Sequence, residues 1–130
     1  MDHSGIPSAV QDFVRRHIDS VEQLDVMLLL HRTAPRVWTP VGVGTELRID
    51  PGSAARRLAD LNAGGLLEAS AEGDAVGYRY AAAAPEDEVI RQLAVTYLER
   101  RTSLIEFIFS APVRDVRVFA DAFRIRKKED

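Results

Sequence analysis

Apolar residues recur at helical spacing from the start of the chain. Ile6, Val10, Phe13, Val14, His17 and Ile18 share one face, with Gln11, Asp12, Arg15 and Arg16 on the other, which predicts a first amphipathic helix. Ser20 followed three residues later by Gln23 has the form of a capping box. Val21, Leu24, Met27, Leu28 and Leu30 then continue a wide apolar face, so a second, largely buried helix opens there. The pattern breaks between His31 and Arg36, because Pro35 cannot continue a helix and biases Ala34 away from helical geometry.

Two helix starts of the same construction follow, Thr39 before Pro40 and Asp50 before Pro51. In each, a side-chain oxygen can accept from an orphan backbone N–H while proline takes the first helical position, where no N–H is needed. Two short helices across a tight turn near residues 48–50 are therefore expected. Gly42 and Gly44 are poor helix formers in the first, although Val41, Val43 and Leu47 give it something to bury. In the second, Ala54, Leu58 and Leu61 form the inward stripe and leave Ser53, Arg56, Arg57 and Asp60 spread over the outer surface. Gly64 or Gly65 can end this helix in the left-handed conformation. A hairpin comes next, with strands at about residues 66–71 and 76–81, a turn through Glu72, Gly73 and Asp74, and Tyr78 and Tyr80 in aromatic strand positions.

Beyond an alanine-rich connector, Glu86, Asp87 and Glu88 complement the dipole of a further helix start. Ile90, Leu93, Tyr97, Leu104 and Ile108 form one stripe, with Val89, Leu98, Ile105 and Phe109 beside it, and the spacing reads as one helix over residues 89–109. Pro112 interrupts it, and Val116, Phe119, Ala120 and Phe123 mark a short amphipathic helix before a polar tail carrying Arg124, Arg126, Lys127 and Lys128. This apolar surface is wider than one small domain needs. A homodimer seam through Ile90, Leu93, Tyr97, Leu104, Ile105, Ile108 and Phe109 would cover it; the alternative is that these helices complete the monomer's own core.

The predicted fold is mainly α with a small β-hairpin: two helices, a short helix, a tight turn, a short helix, the hairpin, then a C-terminal helical extension. Over about Ser20 to Ala81 the sequence resembles the bacterial winged helix-turn-helix transcription regulators, the broad group that includes the MarR-like proteins. The stretch SAARRLADLNAGGLLE carries most of that resemblance. It implies a winged domain over residues 1–83, a dimerisation region over 84–123 and a tail over 124–130. It also implies a recognition helix at about residues 51–63 entering the major groove of double-stranded DNA, with the hairpin against the flanking backbone. Ser53, Arg56, Arg57 and, in the hairpin, Arg79 are the candidate DNA contacts.

Charge complicates that reading. The chain carries a net charge of −3, and from Arg36 to Tyr80 five arginines face six carboxylates, so the module stands at −1. Glu72 and Asp74 occupy the hairpin tip, where a DNA-bound wing would offer lysine or arginine. A winged helix that binds another protein rather than DNA is therefore the alternative.

No catalytic constellation emerges. GVGTEL lacks the third glycine and preceding buried strand of a dinucleotide site, and no serine sits in a nucleophile elbow. His3, His17 and His31 lack paired ligand spacing, and with no cysteine there are no thiolate metal sites. The expectation is a non-enzyme without metal or cofactor. No apolar run approaches the 18 to 20 or so residues that span a bilayer, and a soluble cytoplasmic protein with no membrane partner is expected. Trp38, just ahead of the Thr39 cap, reads as a hydrophobic staple.

Overall fold

The computed structural model describes residues 5–73 and 75–110, with the side chain of Glu72 also outside the description. Six helices and one antiparallel hairpin make up this part: α1 (Ser8–His17), α2 (Val21–Arg32), α3 (Pro40–Leu47), α4 (Pro51–Ala63), β1 (Leu67–Glu72), β2 (Ala75–Tyr80), α5 (Glu86–Glu99) and α6 (Arg101–Ser110). The short helix expected through Val116, Phe119, Ala120 and Phe123 and the tail at 124–130 lie outside the described residues, as do His3 and Asp74.

The cap chemistry places the helix starts. The Ser20 hydroxyl accepts from the Gln23 N–H at 3.1 Å, and the Gln23 side chain reaches back to accept from the Asp19 N–H at 3.0 Å, so two backbone donors are satisfied reciprocally. Thr39 accepts from the Gly42 N–H and Asp50 from the Ser53 N–H, each at 3.1 Å, with proline in the first turn of both helices. Between α3 and α4 the chain turns through Arg48, whose φ of 60° is left-handed, and the Ile49 N–H closes onto the Gly44 carbonyl at 3.0 Å. α4 ends on Gly65 at φ 85°. The Leu66 N–H bonds the Leu61 carbonyl and the Gly65 N–H bonds that of Asn62, satisfying two carbonyls of the last turn, while Leu61 and Leu66 are both buried.

The hairpin pairs Leu67 with Tyr80 through Glu72 with Ala75, so two residues form its loop, and Gly73 at φ 63° supplies the positive φ such a loop requires. The strands thus sit one residue from the limits expected from the sequence, since two residues separate them where the expected limits left four. Trp38 exchanges both backbone hydrogen bonds with Tyr78, at 2.7 and 2.8 Å, and adds a one-residue third rung to the sheet. Its ring is buried and its indole N–H donates to the Thr33 hydroxyl at 2.8 Å. The residue expected only as a staple therefore also pins the hairpin to the start of α3.

The core runs through every helix. Val10, Phe13 and Val14 of α1, Leu24 and Val26–Leu30 of α2, Val43 of α3, Ala54, Leu58 and Leu61 of α4, and Leu66 and Leu67 at the hairpin are buried together. Each fully buried leucine or phenylalanine contributes about 1.5–3 kcal/mol of apolar transfer. α1 packs against α5, and the Arg15 guanidinium lies 5.1 Å from the centre of the Phe107 ring on α6.

The C-terminal helices differ from the sequence expectation. Instead of one helix over residues 89–109, the chain breaks at Arg100 (φ −132°, ψ 46°) into α5 and α6. A straight helix of that length would extend about 30 Å and carry its second half away from the domain. The break turns Leu104, Phe107 and Ile108 back into the shared core. The architecture is that of a winged helix-turn-helix, α2 to β2, with α1, α5 and α6 packed beside it.

Candidate nucleic-acid interface

Burial divides α4 into two faces. Ala54, Leu58 and Leu61 point inward, which turns Gly52, Arg56, Ala59, Asp60 and Ala63 outward. At about 100° per residue, Arg56 and Ala63 lie nearly opposite the buried stripe. Arg56 is exposed and makes no ion pair or hydrogen bond with any described residue, Asp60 one turn on included. Apart from Asp60 its neighbours on this face are small, so the face is low enough for the helix backbone to approach a groove floor.

The other two α4 candidates turn aside. Arg57 sits about 100° around the helix from Arg56 and is held by α2 and the residue before its cap. Its Nε donates to Glu22 Oε1 at 2.9 Å, and its Nη1 lies 3.4 Å from Asp19 Oδ1. The Ser53 hydroxyl donates to the same Glu22 oxygen. The Ser53 hydroxyl and then the Arg57 guanidinium hold the Glu22 carboxyl below the usual carboxylate range, outweighing the opposing effect of burial. In the hairpin, Arg79 is paired with Glu68, its partner directly across the strands. Of the four residues expected at the interface, only Arg56 makes no hydrogen bond or ion pair with a described residue, although its charge also acts weakly on Glu22.

Two further arginines join it. Arg48, in the turn between α3 and α4, is exposed and holds no described carboxylate. Arg36 stacks on Trp38, its guanidinium carbon 3.8 Å from the ring centre, an orientation that leaves its donors pointing elsewhere. Charge counting found both residues, but nothing in the local sequence marked them as available. Val41, at the start of α3, is 65% exposed.

Polar ties hold the hairpin and α5 to α2. The Tyr80 hydroxyl donates to Asp87 at 2.6 Å, His31 meets the Tyr80 ring edge-on at 4.9 Å, and the Tyr97 hydroxyl donates to Asp25 at 3.0 Å. Burial, then these carboxylate bonds, push both tyrosine hydroxyls above their ordinary pKa, so they remain donors.

The residues expected at a subunit seam fall into three groups, with Phe109 alone exposed. Ile90, Leu93, Leu104 and Ile108 are buried in the chain's own core, and Tyr97 and Ile105 are half-buried. With α6 folding back rather than continuing α5, Leu104 and Ile108 join the core to which Ile90 and Leu93 belong. The large apolar side chains left open on α5 and α6 are Val95, Leu98 and Phe109, the last two 86% and 72% exposed. Among the described residues no helix is long and apolar enough to cross a membrane, and no three His, Asp or Glu side chains group as a metal site would need.

No family model matches the sequence. No curated protein matches it either. Solved structures do share its fold. BpsR of Bordetella bronchiseptica, from a study of how 6-hydroxynicotinic acid regulates its DNA binding, aligns with a TM-score of 0.54 at 20% identity, over 95% of this chain and 84% of its own. MepR, a transcription regulator of the Staphylococcus aureus multidrug efflux pump MepA, gives 0.54 at 10% identity over 95% and 88%. An apo-form mutant of ZitR from Lactococcus lactis gives 0.52 at 14% identity over 94% and 89%. The resemblance to winged-helix transcription regulators drawn from Ser20 to Ala81 therefore holds at the level of the fold, and it extends over nearly the whole chain.

Proposed function

We propose that the protein is a DNA-binding transcription regulator of the bacterial cytoplasm, and not an enzyme, acting as a homodimer whose two α4 helices enter successive major-groove half-sites. One observation carries this reading: Arg56 stands outward from the middle of a low α4 face and makes no ion pair or hydrogen bond with a described residue. An arginine so placed can meet a guanine edge with both donors of its fork. The usual half-site spacing for paired helix-turn-helix units is about 34–36 Å or a multiple of it. The fold shared with BpsR, whose DNA binding 6-hydroxynicotinic acid regulates, and with MepR, a transcription regulator, supports the same reading.

In this reading α2 to β2 form the DNA-binding unit. α1 joins α5 and α6 in the pairing unit rather than staying with the first 83 residues, since it packs on α5. The seam runs through Val95, Leu98 and Phe109, the large apolar side chains of α5 and α6 that stand exposed. Arg56→Ala tests the DNA contact. It removes an exposed, unpaired side chain, so the fold should be unaffected, while affinity for a selected genomic fragment falls by about 1–3 kcal/mol and preference relaxes at one base position.

The protein-binding alternative rests on the pairing of Arg57 and Arg79 with carboxylates, which leaves the module few arginines to offer phosphate. If the parent protein shows no salt-sensitive binding to genomic fragments, including the promoter nearest its own gene, that alternative replaces the DNA-binding reading.

A further inference from the structure

Glu22 lies in the first turn of helix α2, where its charge favours the helix dipole, but it makes none of the capping hydrogen bonds. Ser20 caps the helix and Gln23 closes the box, so the Glu22 carboxylate is free to act elsewhere, and it lies against the flank of α4. There it accepts from Ser53 and from Arg57, while Asp19 supports the far side of the same guanidinium. The cluster is only partly covered, with side chains 22% exposed at Arg57, 30% at Glu22 and 51% at Asp19. Two carboxylates around one guanidinium leave the cluster with a net negative charge.

Arg57 is one helical step from Arg56, so if Arg56 enters a groove, Arg57 stands at the groove's edge, where phosphates lie. A guanidinium grips carboxylate and phosphate through the same planar fork, and the two compete for it directly. We propose that Glu22 is an internal competitor for DNA phosphate: by holding Arg57 against α2 it withholds that arginine from the backbone contact and limits sequence-independent binding. Any change that neutralises or draws away Glu22 then adds one phosphate contact per subunit. This inference rests on the DNA-binding reading above. The simpler role for the cluster, a tie between α2 and α4, predicts the opposite response, since loosening a tie weakens binding.

The test uses the full chain and a random-sequence duplex of about 30 base pairs, long enough for two half-sites and blind to operator identity. Binding is followed by fluorescence anisotropy from 50 to 200 mM NaCl. Glu22→Gln keeps the side chain's shape and an acceptor for Ser53 while removing the charge. It should bind more tightly than the parent, and the slope of log K against log salt should steepen by about 0.9 per subunit, the yield of one further phosphate contact. The advantage over the parent should then grow about 3.5-fold per subunit between 200 and 50 mM. Arg57→Ala should change the parent's binding less than twofold, yet abolish the whole gain when combined with Glu22→Gln.

Glu46→Gln serves as a control, removing an exposed α3 charge that makes no contact with Arg57, and it should leave the slope within about 0.3 of the parent's. Should Glu22→Gln fail to give the parent's circular dichroism spectrum, Asp19→Asn removes the outer carboxylate and should shift binding in the same direction by less. The competitor role is overturned, with the DNA-binding reading intact, if the parent binds but Glu22→Gln binds equally or more weakly. It is overturned in the same way if Glu46→Gln steepens the slope as much. If neither parent nor variant binds the duplex or genomic fragments at 50 mM, both readings fall.

Discussion

Gly44→Ala should damage the joint between α3 and α4, and its cost can be worked out from the surrounding atoms. A Cβ at this position would lie 2.9 Å from the Ile49 carbonyl oxygen and 3.4 Å from the Pro51 Cα. Both are backbone atoms, and the chain is reversing over Gly44 at that point through the Ile49 N–H bond, so no side chain can swing away. At Gly42 the nearest atoms are the Thr39 hydroxyl at 3.3 Å and the Trp38 ring at 3.4 Å, side-chain atoms that can yield by a few tenths of an ångström. Both glycines lie within α3, so alanine brings either one the same gain of about 1 kcal/mol in helix propensity. Subtracting the two variants removes that shared gain and leaves the clash, for which overpacking costs of about 1–3 kcal/mol apply. Gly42→Ala should therefore be neutral or stabilising, and Gly44→Ala less stable than Gly42→Ala by about 1–3 kcal/mol, measured by urea denaturation with circular dichroism. Equal stability of the two variants would show that α3 and α4 do not approach as closely as described, and the positioning of α4 would need another cause.

Arg48→Gly should raise stability by about 0.5–1 kcal/mol, because glycine relieves the left-handed backbone at φ 60° while giving back some unfolded-state entropy. If Arg48 meets phosphate, the same change should flatten the salt dependence of DNA binding by about 0.9 per subunit, and unchanged binding would place it outside the interface. Leu98→Glu and Phe109→Glu should each convert a dimer to a monomer in sedimentation at micromolar concentration with little loss of thermal stability, since both side chains are open in the single chain; a parent that sediments as a monomer refutes the seam. Burial first, then Arg16, hold the His17 imidazole below its ordinary pKa against an opposing pull from Glu86. The unfolded chain therefore takes the proton first, stability is fully present above about pH 6.5, and it declines as the pH falls below that value. His17→Gln should lose this decline in urea midpoints measured from pH 7.5 to 5.5.

What could be read in advance was what depends on neighbours in sequence. Ser20, Thr39 and Asp50 accept the hydrogen bonds their spacing promised, and the stripes Ala54, Leu58, Leu61 and Leu24, Met27, Leu28 and Leu30 face inward, because caps and helical periodicity are settled within a few residues. Distant contacts settled the rest. Arg100 breaks the C-terminal helix although the apolar stripe passes through it, since burying Leu104 and Phe107 beside α1 outweighs continuing the hydrogen-bond ladder. Trp38 joins the sheet through Tyr78, forty residues away in the chain, and no local pattern announces such a rung. The fate of Ser53 and Arg57 was equally hidden, because it turns on Glu22 more than thirty residues upstream.

That last pairing changes what the charge of the winged module means. Five arginines against six carboxylates suggest a surface that DNA should avoid, but a count weights every charge alike. Arg79 and Glu68 cancel across adjacent strands, and Arg57 is matched by carboxylates from outside the segment that was counted. Of the five counted arginines, Arg36, Arg48 and Arg56 make no ion pair with a described carboxylate, and one of the opposing acids, Asp50, is already engaged in capping α4. Under the DNA-binding reading Arg56 goes to a base edge, so Arg36 and Arg48 of the two subunits supply about four phosphate contacts, a modest counterion-release term compared with the six to ten or so of strongly salt-dependent binders. Affinity for random sequence should then be low, and discrimination must come from how closely α4 fits its groove. The small residues around Arg56 are suited to that demand: they let the helix come near enough for one arginine to read a base edge, where a bulkier or more basic face would have gained attraction to any DNA and lost some of the difference between sequences.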